Sequence, residues 1–508
     1  MNYKKCRAFF GIPLIFASLC TYTFASVVSS EEKEAQSKYS FPKTVPPSPQ
    51  VISWLYAEYL DANEKVEKLT FKDYLKLAGY VPSCSHQEGR DNVSIESSGI
   101  RRISIPSKPV AGELHVKVLL IDFKDKVGRL PRKHYENLLF SDKKLLSGSM
   151  KDYYKEVSLD KVSIKGSVHG WLRMPNPYSY YTNGESGGEW GSYPRNAPRM
   201  AEDAVKVALK KGISFEKELD VLDNGIITAL FLIHAGSGAE RLHPSIRGND
   251  IWSHKWNLRT PIQVSPGLHA STYLTVPHDC DVGVCSHELG HLAFQWDDFY
   301  DPNYDEDGKT WDGSGMWDLM ASGSYGGGGA RPVHPAALHK MQHKWVETET
   351  IDASTMEGDK MSLTLPPFTT MPGYKIIKLT SPAFKPTQYL LLENRMRVGF
   401  DSRLPGEGLL VWKVDESKEM FSPDSPGLQL VQADGQHDLE NAFDDNQGDG
   451  GDPFPGTKNV VDLNDESRDP ARPITSFKGG ALSGINLSDI TRALSGEVSF
   501  TITYIKRD

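Results

Sequence analysis

The five residues His287-Glu288-Leu289-Gly290-His291 constrain this chain more than any other feature it has. Two imidazoles four residues apart meet only on a helix, where they stack on one face about 6 Å apart along the axis and can chelate a single ion. Glu288, turned by one position, flanks that face and reaches a water on the ion without being a ligand itself. The plain alternative is an amphipathic helix with two surface histidines. The apolar neighbours Leu289, Leu292 and Phe294 favour the metal reading. A Zn2+ ion held there would bring the pKa of its water toward ~7 and polarise a carbonyl, leaving Glu288 to take the proton and return it to a leaving amine.

A catalytic zinc site needs a third protein ligand and one open position. If the helix ran on past His291, Asp298 would lie on the face of His287 but about 10 Å along the axis from His291, too far to share an ion. The helix therefore has to break. Once it turns, Asp297, six residues after His291, is the acid best placed to swing back; Asp298 is the fallback. Glu306 and Glu347 are the candidates if the ligand comes from a separate helix.

At 508 residues the chain is too long for one core, since single cores stop growing at roughly 250–300 residues, and several domains are expected. Its start, MNYKKCRAFFGIPLIFASLCTYTFAS, sets Lys4, Lys5 and Arg7 before an apolar run that ends at Ala25. This pattern predicts a secretory signal peptide over 1–25 and an extracellular product. Pro13 breaks the run short of the ~20 apolar residues a spanning helix requires, so no stable membrane insertion is expected. Loss of that segment removes three positive and no negative charges, taking the formal charge from -9 to -12. Such an acidic chain is a poor partner for nucleic acid. Cys84, Cys280 and Cys285 survive processing; the latter two are close enough to close a small disulfide loop before the metal helix, leaving Cys84 alone.

Between 26 and 108 a Pro-rich stretch, FPKTVPPSPQ, precedes two helix-like runs, WLYAEYLDANEKVEKL and FKDYLKLAGY, and a Ser-rich piece ending at Arg101-Arg102. This segment reads as detachable and helical. From 109 to 350 buried strands (HVKVLLIDF, ITALFLIHAG) and an alternating one (KVSIKGSVHGWL) are interleaved with helices (SMKDYYKEVS, APRMAEDAVKVALKKG), the mark of an α/β layer. Long Gly- and Trp-rich loops are expected between ITALFLIHAG and HELGH. From 351 to 508 the short runs MSLTL, YKIIKLT, QYLLLENR, GLLVWKV, LQLVQA and VSFTITYI predict an all-β, sandwich-like domain.

HELGHLAFQWDDFYD followed by GMWDLMASGSY resembles the immune inhibitor A family of secreted zinc metallopeptidases, which is metzincin-like. HVKVLLIDFKD, LFLIHAGSGAE, IWSHKW, YLLLENR, GEGLLVWKVD and LVQADG resemble further family blocks in family order, over roughly residues 113–505. The resemblance implies His287, His291 and Asp297 as zinc ligands, Glu288 as general base and Met320 as the Met-turn beneath the metal. Tyr325, just after that turn, is placed to donate to the developing oxyanion, or else to wall the pocket. The chain departs from the family where Gly is usual three residues after the second histidine and Phe294 stands instead; a non-Gly residue in a left-handed turn costs roughly 1–2 kcal/mol.

The same resemblance makes 26–108 a pro-region held over the cleft as an intramolecular inhibitor, with Arg101-Arg102 as a cutting site. Cys84 as a zinc thiolate and Asp91 as a carboxylate are the two ways it would block the ion. A calcium ion is suggested by DPNYDEDGKTWDG, where Asp301, Asn303, Asp305 and Asp307 alternate before Gly308, and more weakly by FDDNQGDGGDPFPG with Asp449 and Asp452. The expected function is that of a secreted zinc metalloendopeptidase acting on proteins or peptides and made as a zymogen. The competing readings are an inactive metalloprotease-like protein that binds a surface partner, and a zinc exopeptidase with a glutamate as third ligand.

Overall fold

A computed structural model describes residues 42–63, 70–78, 103–301, 311–368, 373–418, 426–440, 446–465 and 472–506. The signal peptide, Cys84, Asp91, Arg101, Arg102, Glu306 and Asn303 through Gly308 lie outside the described residues. No helix among those described is long and apolar enough to cross a membrane.

The chain opens with a two-residue strand, β1 (Lys43–Thr44), and two helices, α1 (Pro49–Asn63) and α2 (Phe71–Leu77). The helices bury Val51, Ile52, Leu55, Phe71 and Leu75 against one another in a small cluster of their own. β2 (Gly112–Asp122) follows, then α3 (Arg132–Phe140), α4 (Met150–Val157), β3 (Val162–Arg173), α5 (Ala197–Lys210), β4 (Leu230–His234), β5 (His254–Ser265), β6 (Leu268–Pro277) and α6 (Val282–Ala293). α4 starts at a capping box in which Ser149 and Asp152 answer each other's backbone N–H, and α5 starts at Asn196, whose side chain accepts from Arg199 N–H.

These strands form one sheet in the order β1-β5-β6-β4-β2-β3, parallel except where β5 runs against β6 and β1 against β5. β2 sits inside the sheet and is buried on both sides, which accounts for its unbroken apolar run. Val116, Val118 and Leu120 face one core with α3, α4 and α6; Leu119 and Ile121 face the other with α5. The β5–β6 hairpin, turning at Gly267 with φ +76°, occupies residues the sequence reads as loop. β5 alternates buried and partly exposed side chains without a continuous apolar run, so its period of two is masked by the polar residues of HKWNLRTPIQ.

A short helix, α7 (Ala337–Gln342), leads into a second sheet of β7 (Glu347–Asp352), β9 (Lys375–Thr380), β10 (Gln388–Arg395), β11 (Gly408–Asp415) and β12 (Leu428–Leu430), and a third of β8 (Lys360–Leu365), β13 (Ile485–Arg492) and β14 (Val498–Tyr504). The apolar core between these sheets pairs Leu390, Leu392, Leu409 and Val411 with Leu487, Val498, Phe500 and Ile502. Alternate residues, Leu391, Leu410, Trp412 and Val414, pack the other way against Phe299, Trp317, Val333 and Leu338. The larger sheet is thus sandwiched on both faces.

Candidate metal centre

The last strand of the first sheet ends at Pro277, and after a short turn the side chain of Asp281 caps α6 by accepting from Val284 N–H. Every residue of α6 is buried. Gly290 lets the helix lie close to its floor: a Cβ there would stand 2.8 Å from the Trp296 ring and 2.9 Å from Met320 Sδ. Cys280 and Cys285, expected as a disulfide, are instead two buried free thiols flanking the cap, and burial together with Cys280 nearby pushes the Cys285 thiol well up.

His287 Nε2 and His291 Nε2 lie 3.0 Å apart, and both reach Asp298 Oδ1, at 3.1 and 2.9 Å. Among the described residues this is the group of three His, Cys, Asp or Glu side chains whose ligand atoms all fall within 4.8 Å. Each imidazole has its other nitrogen on a backbone carbonyl, His287 Nδ1 on Leu319 at 2.9 Å and His291 Nδ1 on Trp296 at 2.8 Å. With Nδ1–H donated, both Nε2 atoms carry lone pairs and point at one place, the donor set a divalent zinc-like ion takes. Burial pushes the His291 imidazole down to about 4, while burial of Asp298 is outweighed by His291 and His287, which hold its carboxyl well below the usual range. Burial and the neighbouring Asp298 raise the Glu288 carboxyl well above its ordinary value. Glu288 Oε2 is buried and has no hydrogen-bond partner among the described residues.

The structure therefore sets Asp298, not Asp297, beside the histidines. The reason is local. Phe294 stays in a helical conformation with φ -102°, and the left-handed residue is Gln295, with φ +59°. The turn comes one residue later than Asp297 as ligand would need, so the acid that swings back is one residue further on. Asp297 turns away and binds Lys43 Nζ at 2.8 Å and the Ser104 hydroxyl at 2.7 Å. Glu347 starts an exposed strand and plays no part.

The cleft beside the cluster, about 540 Å³ in volume, is lined by Lys43, Ser104, Ile226, Thr228, Lys255 and His291. Across it runs the chain's own β1, paired with the edge strand β5 so that Lys43 faces Lys255 and Thr44 faces His254. The Thr44 carbonyl lies 3.2 Å from His287 Nε2 and accepts from the Tyr300 hydroxyl at 2.6 Å. Val45 N–H donates to Glu288 Oε1 at 2.9 Å, Trp252 Nε1 donates to the Val45 carbonyl at 2.8 Å, and Tyr325 donates to the Pro46 carbonyl at 2.6 Å. Burial raises both tyrosine phenols well above their ordinary pKa, keeping them donors. Tyr325, read from the sequence as the oxyanion donor, holds backbone two residues past Thr44 instead, and Tyr300 takes the carbonyl. Sequence reasoning missed Tyr300, Trp252 and the 43–46 segment. The one available signal was the prolines Pro42, Pro46 and Pro47 around Lys43-Thr44-Val45, which favour extended backbone.

Residues 115–351 match the family described as the immune inhibitor A peptidase M6 catalytic domain. Over those residues the chain is similar to an immune inhibitor A family peptidase domain. It is 28% identical over 287 residues to the pre-pro-metalloprotease PrtV of Vibrio cholerae serotype O1, covering 49% of this chain and 30% of that protein. To immune inhibitor A of Bacillus thuringiensis subsp. alesti it is 28% identical over 225 residues, covering 39% of this chain and 32% of the relative. The aligned part thus spans about a third of the length of each relative. The immune inhibitor A match opens within β2, includes the whole metal helix and closes in β7.

Proposed function

We propose that this chain is a secreted zinc endopeptidase, made as a latent precursor, that hydrolyses peptide bonds of proteins with His287, His291 and Asp298 as metal ligands and Glu288 as general base. What carries this reading is the treatment of one peptide group: the Thr44 carbonyl lies at the histidine pair while the Val45 N–H rests on Glu288. A bound zinc ion supplies a Lewis acid for that carbonyl and an acidified water. Glu288 takes a proton from the attacking water and delivers it to the leaving nitrogen, which stands where Val45 N does. Tyr300 donates to the carbonyl oxygen as charge builds there. Met320, against Gly290, is the hydrophobic floor.

The pro-region is read as inhibiting by lying in the substrate's place; Cys84 and Asp91 lie outside the described residues. The support for this reading is the β1–β5 pairing and the small core that α1 and α2 keep to themselves, so that of the core residues in 42–78 Val45 alone is shared with the cluster around the metal helix. The pre-pro form named for the Vibrio relative agrees with this and with an exported precursor. Calcium is proposed as a second ion at the stretch that begins with Asp301. At the weaker site Asp449 and Asp452 spend oxygens on Gly451 N–H and on Trp317 Nε1 and Asp449 N–H, and among the described residues do not join a group of three. A surface-binding protein without activity has no use for the unpartnered Glu288 oxygen, so that reading is not favoured.

The test is digestion of a mixed protein substrate by the processed chain, with cut sites read by mass spectrometry and metal content by elemental analysis. One zinc per chain is expected, with Glu288→Gln retaining zinc and losing roughly 10²–10⁴-fold or more in rate. A processed chain with no transition metal, or one that cuts equally well as Glu288→Gln, would overturn the assignment.

A further inference from the structure

The strand that fills the cleft also reports how a substrate is read. A carbonyl at the ligand cluster and an amide on the acid are the two sides of one bond, so the register of β1 is fixed: Thr44 precedes the bond to be cut and Val45 follows it. Counting outward from that bond assigns each neighbouring contact to a substrate position.

Immediately after the bond, the Val45 side chain is fully buried in the cluster that holds Trp252, Val284, Leu289 and Tyr325. One residue before Thr44, the Lys43 ammonium lies 2.8 Å from Asp297 Oδ1 and 2.9 Å from the Trp296 carbonyl, with 12% of its side chain exposed and none of that of Asp297. Asp297 is itself aimed from the far side, its Oδ2 by Ser104 N–H at 2.5 Å and its Oδ1 by the Ser104 hydroxyl. A carboxylate buried on the cleft wall, held by two neutral donors of Ser104 and, among the described residues, in contact with no cation but Lys43, is left with its charge unanswered when 43–46 departs. A substrate's own cation is what can replace Lys43.

We propose that Asp297 is a specificity-determining residue, selecting proteins with Lys or Arg as the second residue before the cut bond and a compact aliphatic residue immediately after it. This rests on the peptidase reading above and adds the substrate class to it. The preference for Lys over Gln at the basic position is expected to be about tenfold or more in kcat/KM, the value of one charge-assisted hydrogen bond in a sheltered site.

Two measurements test it. Peptides of sequence Pro-Lys-Thr-Val-Pro-Pro and Pro-Gln-Thr-Val-Pro-Pro, fluorescently labelled, are titrated by fluorescence polarisation onto the metal-free processed chain carrying Glu288→Gln, and the same titration is repeated with Asp297→Asn added. The expected result is tighter binding of the Lys peptide by about tenfold, collapsing toward a ratio of one in Asp297→Asn. Cleavage of a peptide library by the processed wild-type chain then shows Lys or Arg enriched at that position. Equal binding of both peptides to the Asp297 protein, or a library cut without basic preference, overturns the assignment of Asp297 while leaving the peptidase intact. Lys-selective binding by a chain that cuts no peptide sinks the peptidase reading and keeps the pocket. Should Asp297→Asn fail to fold, the comparison of the two peptides on the Asp297 chain decides alone.

Discussion

Two buried groups of charged and titratable side chains are built on opposite rules. In one, Lys340, Glu393, Arg395 and Asp401 are all at most 1% exposed and answer one another: Lys340 Nζ meets Glu393 Oε2 at 2.6 Å, and Arg395 grips Asp401 through Nε and Nη2 at 2.5 and 2.6 Å. Glu393 takes further hydrogen bonds from Trp412, Tyr374 and Ala337 N–H. In the other, around His287, His291, Asp298 and Glu288, lone pairs crowd together and one Glu288 oxygen has nothing to bind. The first group joins α7 to β10 and is complete as a protein. The second, proposed above as the metal centre, leaves lone pairs and one carboxyl oxygen unanswered among the described residues.

The sharpest way to break this contrast is to unbalance the closed group. Arg395→Met strands the buried Asp401 carboxylate, Glu393 keeping Lys340, and is expected to cost about 3–5 kcal/mol in a urea denaturation, enough to jeopardise the fold. The open group should respond to addition instead: zinc at a hundred times its dissociation constant stabilises the parent chain by about 2.7 kcal/mol, read as a rise in melting temperature that His287→Ala abolishes. Asp452 is the intermediate case, one oxygen bonded to Trp317 Nε1 and the other open. Burial, with Asp449 and Asp434 nearby, raises its pKa to about 7. A folded-state value above the unfolded one means the folded chain holds the extra proton, so its stabilisation is full below about pH 4 and is lost as pH rises toward 7. Asp452→Asn should flatten that fall in melting temperature by a few degrees between pH 5 and 8. Smallest of all, Glu288→Gln in the metal-free chain should melt no lower than the parent, because burial and Asp298 already disfavour the charged form of this carboxyl and the amide is its neutral near-isostere; a marked loss of stability would mean Glu288 belongs with the closed kind of group.

Much of this was legible in the residues. The spacing of His287 and His291, the apolar runs of β2 and β4, and the turn-bounded strands of the second sheet each carry a local period that survives folding. Asp298 was readable only as the fallback to Asp297, because which of the two acids turns toward the histidines depends on the backbone at Gln295, which no pattern in LAFQWDD discloses. β5 was missed because an edge strand that receives another chain has only one side to bury. Cys84 and Asp91 were singled out because their side-chain chemistry is conspicuous in a sequence, whereas Thr44 and Val45 lie in the cleft with backbone atoms against His287 and Glu288, which no residue pattern discloses.

The double-faced sheet of β7 and β9–β12 has a practical corollary. One of its surfaces is the wall against which Phe299, Trp317 and Leu338 close, so the stretch from 115 to 351 owes part of its interior to strands that come after it. A clone stopped at residue 351 would sever β7 from β9, its parallel partner, and bare a row of aromatic and aliphatic side chains to solvent. The recognisable peptidase segment is therefore not a unit that can be expressed by itself, and evolution could exchange what lies beyond it only by keeping that wall.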